Sequence, residues 1–344
     1  MRIWMRRMLA AILVMALLCP GTAVFATETE PVAETEPIVE ETEAEAEATE
    51  PVPEETEATE PETYTVNTES EVYQRCLELS GELVYDQLLV YDATNDEILF
   101  MDTREGPKLY PASTTKLFSA YVALQYLRSD EVITAGKELE LVPDGSSVAY
   151  IGKGHRLYAR TLVEGMMLPS GNDAALVLAT AAGRRIAEDE SLEPADAIGV
   201  FVQEMNRMAA ELGFERSHFS NPDGWHTGSH YTCLSDMARI AKLALENKTI
   251  AAYMRKGEDD VVFASGQSIT WKNTNLFLNT EKGFYRSDAI GMKTGYTRQA
   301  EYALMSAFKC GGRTLVVGAF GYADEHQRYR DVSQVVKACK ELLK

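Results

Sequence analysis

Between Thr27 and Thr63 the chain carries fifteen glutamates and no lysine or arginine, in a run of Thr, Glu, Pro and Ala. Such a stretch cannot collapse. Like charges repel, proline interrupts helices, and there is too little apolar surface to offset the entropy lost on ordering. Whatever folds must come after it. We assign residues 27–65 to an extended acidic spacer. The same run accounts for most of the formal charge of −20, built from 53 acidic and 33 basic side chains. Residues 1–26 hold Arg2, Arg6 and Arg7 and no acid, hence +3, and residues 27–63 hold −15, so −8 of the −20 is left for the rest. An acidic chain of this kind lacks the cationic footprint of a nucleic-acid binder, and none is expected as a partner.

The first 26 residues read as an export signal. A basic start precedes an apolar run from Met8 to Leu18, a Pro-Gly break and the ending Val24-Phe-Ala26. That run falls short of the ~20 residues a membrane-spanning helix needs. Cys19 follows the bulky Leu18, where a lipid-attachment site would want a small residue. We read cleavage after Ala26, with an uncleaved anchor as the alternative and the sole expected membrane contact. The mature protein is then extracytoplasmic, either secreted or held at the cell envelope.

From about Tyr64 the composition turns globular. Glu71–Leu83 has helical spacing, with Val72, Cys76, Leu77 and Leu79 as candidate buried positions. Gln87–Asp102 reads as two strands around the turn Ala93-Thr-Asn-Asp96, and Glu301–Cys310 and Arg313–Tyr322 flank Gly311-Gly312 as a second hairpin. Helices are predicted near 114–128, 160–168, 173–188, 196–211 and 234–246, and a last one over Glu325–Leu343. Strands from both ends of the chain with helices between them imply an α+β fold, built on one antiparallel sheet flanked by helices plus an all-helical lobe.

Three short motifs carry reactive groups. In Pro111-Ala-Ser113-Thr-Thr-Lys116, a serine at a predicted helix start has a lysine three residues on, over the same face. A serine attacks only when a base takes its proton, and a lysine is such a base only when its pKa is lowered. In Leu168-Pro-Ser170-Gly-Asn172, a hydroxyl and an amide share one side of a tight turn between two helices. In Gly291-Met-Lys293-Thr294-Gly295-Tyr296-Thr, which is expected to open an edge strand, a cation and a hydroxyl would face a ligand. Gly295 would let an extended ligand backbone approach. Singly, each motif is as well explained by an ordinary cap or turn. In this order, with 57 residues from Ser113 to Ser170 and 123 more to Lys293, they are a specific set.

With these motifs the chain resembles the serine D-Ala-D-Ala carboxypeptidases, the low-molecular-mass penicillin-binding proteins, from about Gln87 to its end. Ser220-Asn-Pro-Asp-Gly-Trp225, His230-Tyr-Thr-Cys-Leu-Ser and Trp271-Lys-Asn-Thr-Asn275 extend the likeness. The resemblance implies a β-lactamase/DD-peptidase-like catalytic domain over 66–344. It further implies that Ser113 is the nucleophile, Lys116 its base and Ser170 a proton relay. Asn172, Lys293, Thr294, Gly295, Tyr296 and Arg328 would bind substrate. The backbone N–H groups of Ser113 and Tyr296 would form the oxyanion hole. Peptidoglycan stem peptides are the implied substrate and β-lactam antibiotics the implied inhibitors. No cofactor or metal is expected.

The sequence departs from the family pattern where a small Ala-Gly pair reads Ala300-Glu301. No second β-rich domain or C-terminal amphipathic helix follows the last predicted helix, so anchoring is expected from the N-terminus. His226 and His230 are four apart, but Gly228 between them argues for a loop. Cys76, Cys233, Cys310 and Cys339 are read as buried thiols. In the family the helices bearing Cys76 and Cys339 lie side by side, so a link between those two is the alternative. A β-lactamase or DD-endopeptidase of the same fold and a non-catalytic wall-binding module are the competing functions. The first would need a Glu-x-x-Leu-Asn between the second and third motifs, which this sequence lacks, and the last has no use for the Ser113–Lys116 pair.

Overall fold

The computed structural model describes residues 64–104, 106–214 and 216–343; the expected export signal and nearly all of the expected acidic spacer lie outside them. Tyr64 donates a hydrogen bond to Asp96 Oδ1 at 3.0 Å and packs edge-on against Tyr91.

In chain order the elements are α1 (Glu71–Ser80), β1 (Gln87–Asp92), β2 (Glu97–Thr103), a 3₁₀ turn (Ala112–Thr115), α2 (Lys116–Tyr126) and β3 (Val132–Thr134). Next come β4 (Arg156–Tyr158), α3 (Ala159–Met167), α4 (Asn172–Ala187), α5 (Pro194–Glu211), α6 (Leu234–Glu246) and α7 (Lys248–Met254). The chain closes with β5 (Glu258–Val262), β6 (Ser268–Lys272), β7 (Ala289–Thr297), β8 (Glu301–Cys310), β9 (Arg313–Tyr322) and α8 (Gln327–Leu342). The short β3–β4 and β5–β6 ribbons and α7 are additions to the expected elements. All are brief, and none has the sustained periodicity that marks an element in sequence.

One antiparallel sheet in the order β2-β1-β9-β8-β7 forms the frame, and β1 pairs with β9 across more than 220 residues of sequence. Both of its faces are covered, which explains the unbroken apolar runs in β1, β8 and β9. Side chains alternate between two cores. Leu88 and Val90 join Phe308, Leu315, Val317 and the inner faces of α1 and α8 on one side. Leu89 and Tyr91 join Met305, Val316, Phe320 and the helical lobe of α2 to α7 on the other. β7 is an outer strand, paired only with β8, and the Ala112–Thr115 turn and α7 lie against it. That places the first and third motifs at one seam between sheet and lobe. Among the described residues four cysteines are free and buried, with Cys76 Sγ 4.0 Å from Cys339 Sγ. Among the described residues no helix is long and apolar enough to cross a membrane.

Candidate active site

The Ala112–Thr115 turn that carries Ser113 is 3₁₀ rather than α-helical and runs straight into α2. With three residues per turn, positions i and i+3 eclipse, so Ser113 and Lys116 are brought into line. The Lys116 side chain is wholly buried, and Nζ lies 2.8 Å from Ser113 Oγ, 2.7 Å from Asn172 Oδ1 and 2.7 Å from the Asp223 carbonyl oxygen. The last two atoms can only accept, and together they take both N–H bonds of a neutral amine. The remaining lone pair then points at the Ser113 hydroxyl, which is the orientation a base needs. Burial pushes the Lys116 amine down to about 8, against the opposing pull of Asp223 and Asp173. The Lys293 amine is also held well below its ordinary range, first by burial and then by the neighbouring Lys116 and Arg328 cations.

The Asp223 carbonyl belongs to the loop Ser220–Trp225, which supported the family resemblance without any assigned role. Gly224, at φ 84°, is pressed against the Ser113 turn: an added Cβ would stand 1.8 Å from the Ala112 carbonyl oxygen and 2.9 Å from Ser113 N. His230 fastens the same loop. Its Nδ1 accepts from Ser220 N at 3.1 Å, so the opposite nitrogen carries the hydrogen and donates to Thr115 Oγ1 at 2.8 Å. Burial pushes His230 down to about 3, and it works as a neutral tie. Among the described residues no cluster of three His, Cys, Asp or Glu side chains is arranged to hold a metal.

The second motif runs from the end of α3 to the start of α4. Ser170 is buried at φ 64° and lines the cleft, and Asn172 lines the same wall while its Oδ1 accepts from Lys116. Asp173 accepts from Ala149 N and Ile151 N at 2.7 and 2.9 Å, while Asn172 N donates to Ser147 O at 2.8 Å. These bonds draw the Gly145–Ser147 loop to the cleft edge, a contribution absent from the sequence expectation. In the third motif Lys293 is buried and donates to Thr294 O at 2.9 Å, and Thr294 Oγ1 bonds Thr274 Oγ1 at 2.6 Å. The motif fills most of β7 and ends it rather than opening it, because the turn at residues 298–300 follows at once. Gly295 also differs in what it admits. A Cβ there would lie 3.0 Å from Pro111 O and 3.1 Å from Ser113 N, so the glycine lets β7 close on the Ser113 turn.

The result is a single cleft of about 580 Å³. Ser113 lies on its floor, with Ser170 and Asn172 on one wall and Thr294, Gly295 and the exposed Tyr296 on the other. Arg328 closes one end, buried between the Tyr302 and Tyr329 rings, with Nη1 bonded to Ala303 O at 2.6 Å. Its Nη2 lies 3.4 Å from Glu325 Oε1, and its buried Nε has no protein partner among the described residues.

A serine beside a buried lysine in such a cleft accompanies membership of a known family. The family model described as D-alanyl-D-alanine carboxypeptidase covers residues 81–322. The chain belongs to that family. It is 31% identical over 244 residues to the D-alanyl-D-alanine carboxypeptidase of Streptomyces sp. strain K15, covering 68% of this chain and 79% of that protein. It is 28% identical over 261 residues to D-alanyl-D-alanine carboxypeptidase DacF of Bacillus subtilis, covering 72% of this chain and 62% of that one. The crystal structure of the Streptomyces K15 DD-transpeptidase is similar at a TM-score of 0.66 and 28% identity, over 76% of this chain and 98% of that one. The DD-peptidase fold, the serine-peptidase class and the cell wall as place of action follow from this membership.

In this family setting, two features of the site lay beyond sequence reasoning. Asp223 acts through its main-chain oxygen, which any residue type could supply; the only hint was the Asn-Pro-Asp-Gly turn. Ala112, at φ 47°, and Met292, at φ 118°, join Ser170 as non-glycine residues in left-handed conformations beside the three motifs. Such strain costs ~1–3 kcal/mol per residue and persists where surrounding contacts fix it. Nothing in the letters Ala or Met announces it.

Proposed function

We propose that this D-alanyl-D-alanine carboxypeptidase removes the terminal D-alanine of peptidoglycan stem peptides through an acyl-enzyme on Ser113. The observation that carries the reading is the Lys116 amine, buried and 2.8 Å from Ser113 Oγ, with two other acceptors to hold its N–H bonds. Lys116 takes the hydroxyl proton as Ser113 Oγ bonds to the carbonyl carbon of the penultimate D-Ala. The N–H groups of Ser113 and Tyr296 receive the oxyanion, a contribution of about 3–4 kcal/mol per donor in other enzymes. The C–N bond then breaks, and the leaving amine takes its proton through Ser170. Asn172 holds the substrate peptide, while Arg328, Lys293 and Thr294 receive its terminal carboxylate. Water hydrolyses the ester and returns the serine.

Penicillins would acylate the same serine. The one carboxylate lining the cleft among the described residues is Glu325, occupied with Arg328, so no acid is poised to hydrolyse that ester and it should persist. Residues 1–26 would export the enzyme, and the acidic spacer would extend it away from the membrane.

A pentapeptide ending in D-Ala-D-Ala, assayed for D-Ala release with and without an amine acceptor, tests the activity. A fluorescent penicillin tests the nucleophile in parallel. We expect D-Ala release, label on the wild-type protein, and loss of both in Ser113→Ala by a factor of about 10³ or more. Label that survives Ser113→Ala sinks the mechanism, and rapid penicillin turnover would point to a β-lactamase.

A further inference from the structure

Among the described residues three charged side chains line the cleft: Arg298, Glu325 and Arg328. The last two are engaged with each other at 3.4 Å, and Arg328 is buried. Arg298 is different. It is exposed, and among the described residues its guanidinium has no ion pair or hydrogen bond. Its backbone is nonetheless held. It sits in the β7–β8 turn, where Ala300 N donates to Thr297 Oγ1 at 3.0 Å and Thr297 pairs in register with Glu301. A fixed turn thus presents an unsatisfied cation to the cleft, two residues beyond Tyr296.

We propose that Arg298 reads a carboxylate on the residue preceding D-Ala-D-Ala, so that the preferred substrates are peptides acidic at that position. The inference rests on the carboxypeptidase reading and on antiparallel pairing of the substrate with β7. If the Tyr296 N–H receives the scissile carbonyl, the penultimate D-Ala lies opposite Tyr296 and the residue before it lies opposite Thr297. Arg298 is the next residue along, in the turn just past the end of the strand, and it lines the same cleft, so its long side chain lies within reach of a carboxylate carried by that residue. An arginine fork matches a carboxylate with two parallel hydrogen bonds, a geometry that neither an amide nor an ammonium partner reproduces. No cleft-lining acid competes for it: Glu325 belongs to Arg328, and Glu301, three residues on, is not part of the lining and makes no ion pair with Arg298. The terminal carboxylate would therefore be held by buried cations, while a second carboxylate meets an exposed one.

The test compares N-acetylated Glu-D-Ala-D-Ala, Gln-D-Ala-D-Ala and Lys-D-Ala-D-Ala as substrates for D-Ala release at low ionic strength. In the wild-type protein kcat/KM for the glutamate peptide should exceed that for the glutamine peptide about threefold to tenfold, and added salt should shrink the ratio. Arg298→Gln should bring the ratio to near one, Arg298→Lys should keep part of it, and Arg298→Glu should favour the lysine peptide. A wild-type ratio at or below one, or a preference that survives Arg298→Gln, overturns the proposal. Failure of all three peptides to release D-Ala would instead sink the carboxypeptidase reading, and this inference with it.

Discussion

The two faces of the sheet are built on different terms. The face under α1 and α8 is an apolar layer in which Phe308 stacks edge-on against Phe277, and Tyr329 lies over Phe277 and Phe284. The seam on the other face buries two lysines and a neutral histidine and contains three left-handed non-glycine residues. Water exclusion and dispersion favour the first arrangement directly. The second works against both, because an unpaired buried charge and a strained backbone each cost free energy. What the contrast teaches is a division of labour: the outer layer stabilises the frame, and that surplus holds reactive groups where they would not otherwise stay.

Substitutions should separate the two regions. The largest expected effect on stability is Phe308→Ala in the outer layer, at about 3–5 kcal/mol. Denaturant unfolding would show it, while the acylation rate of the folded protein should remain that of wild type; a matching fall in rate would mean the layers are not separable. Gly224→Ala should do the reverse. A methyl forced against the Ala112 carbonyl displaces the nucleophile turn, and a misplacement near 1 Å costs about 10²-fold in rate. Penicillin acylation measured beside thermal unfolding would sharpen the comparison, and an unchanged rate would break it.

The effect of pH is next in size. A base must be unprotonated, so penicillin acylation should rise with pH and level off near 8, falling about tenfold per unit below that. The apparent value belongs to the Lys116–Lys293 pair. The linkage runs the same way: a lysine lowered in the folded state is more protonated in the unfolded chain between about 8 and 10.5, so this group's contribution to stability rises with pH across that window. A flat rate profile from pH 6 to 9 would remove Lys116 as the base. The smallest effect is expected outside both regions, at Glu301, which holds φ 53° where a glycine would be at ease. Glu301→Gly should gain about 0.5–1 kcal/mol and leave acylation unaltered, as calorimetry and labelling would report.

Much of the frame was legible in the sequence because it obeys simple periodicities. Long apolar strand runs around Ala93–Asp96 and Gly311-Gly312 gave both hairpins, and helical spacing marked α1, α2 and α8. The ribbon strands β3 to β6 and α7 span seven residues or fewer, and their place is decided by tertiary contacts rather than pattern. Ser113, Lys116, Ser170, Asn172 and Lys293 could be picked out together because their chemistry depends on side-chain type and order. The Asp223 carbonyl, the Gly145–Ser147 loop and the His230 tie could not, since they act through backbone atoms or through partners distant in sequence. Gly295 was visible as a close-approach residue, but only packing shows that it is the nucleophile turn that approaches it.

An outer strand with unmet hydrogen-bonding groups is a hazard in a soluble protein, because another chain can add to it and begin an aggregate. β7 is such a strand, yet little of it is on offer. The end of α7 abuts Gly291, the nucleophile turn backs Gly295, and only Thr294 to Thr297 border the cleft. Four residues recessed in a groove are too few to template a stable intermolecular sheet, but they suffice to grip the tail of a peptide. Copies crowded together should therefore stay apart at this edge without a dedicated guard, because the confinement that selects a chain end also refuses a chain middle.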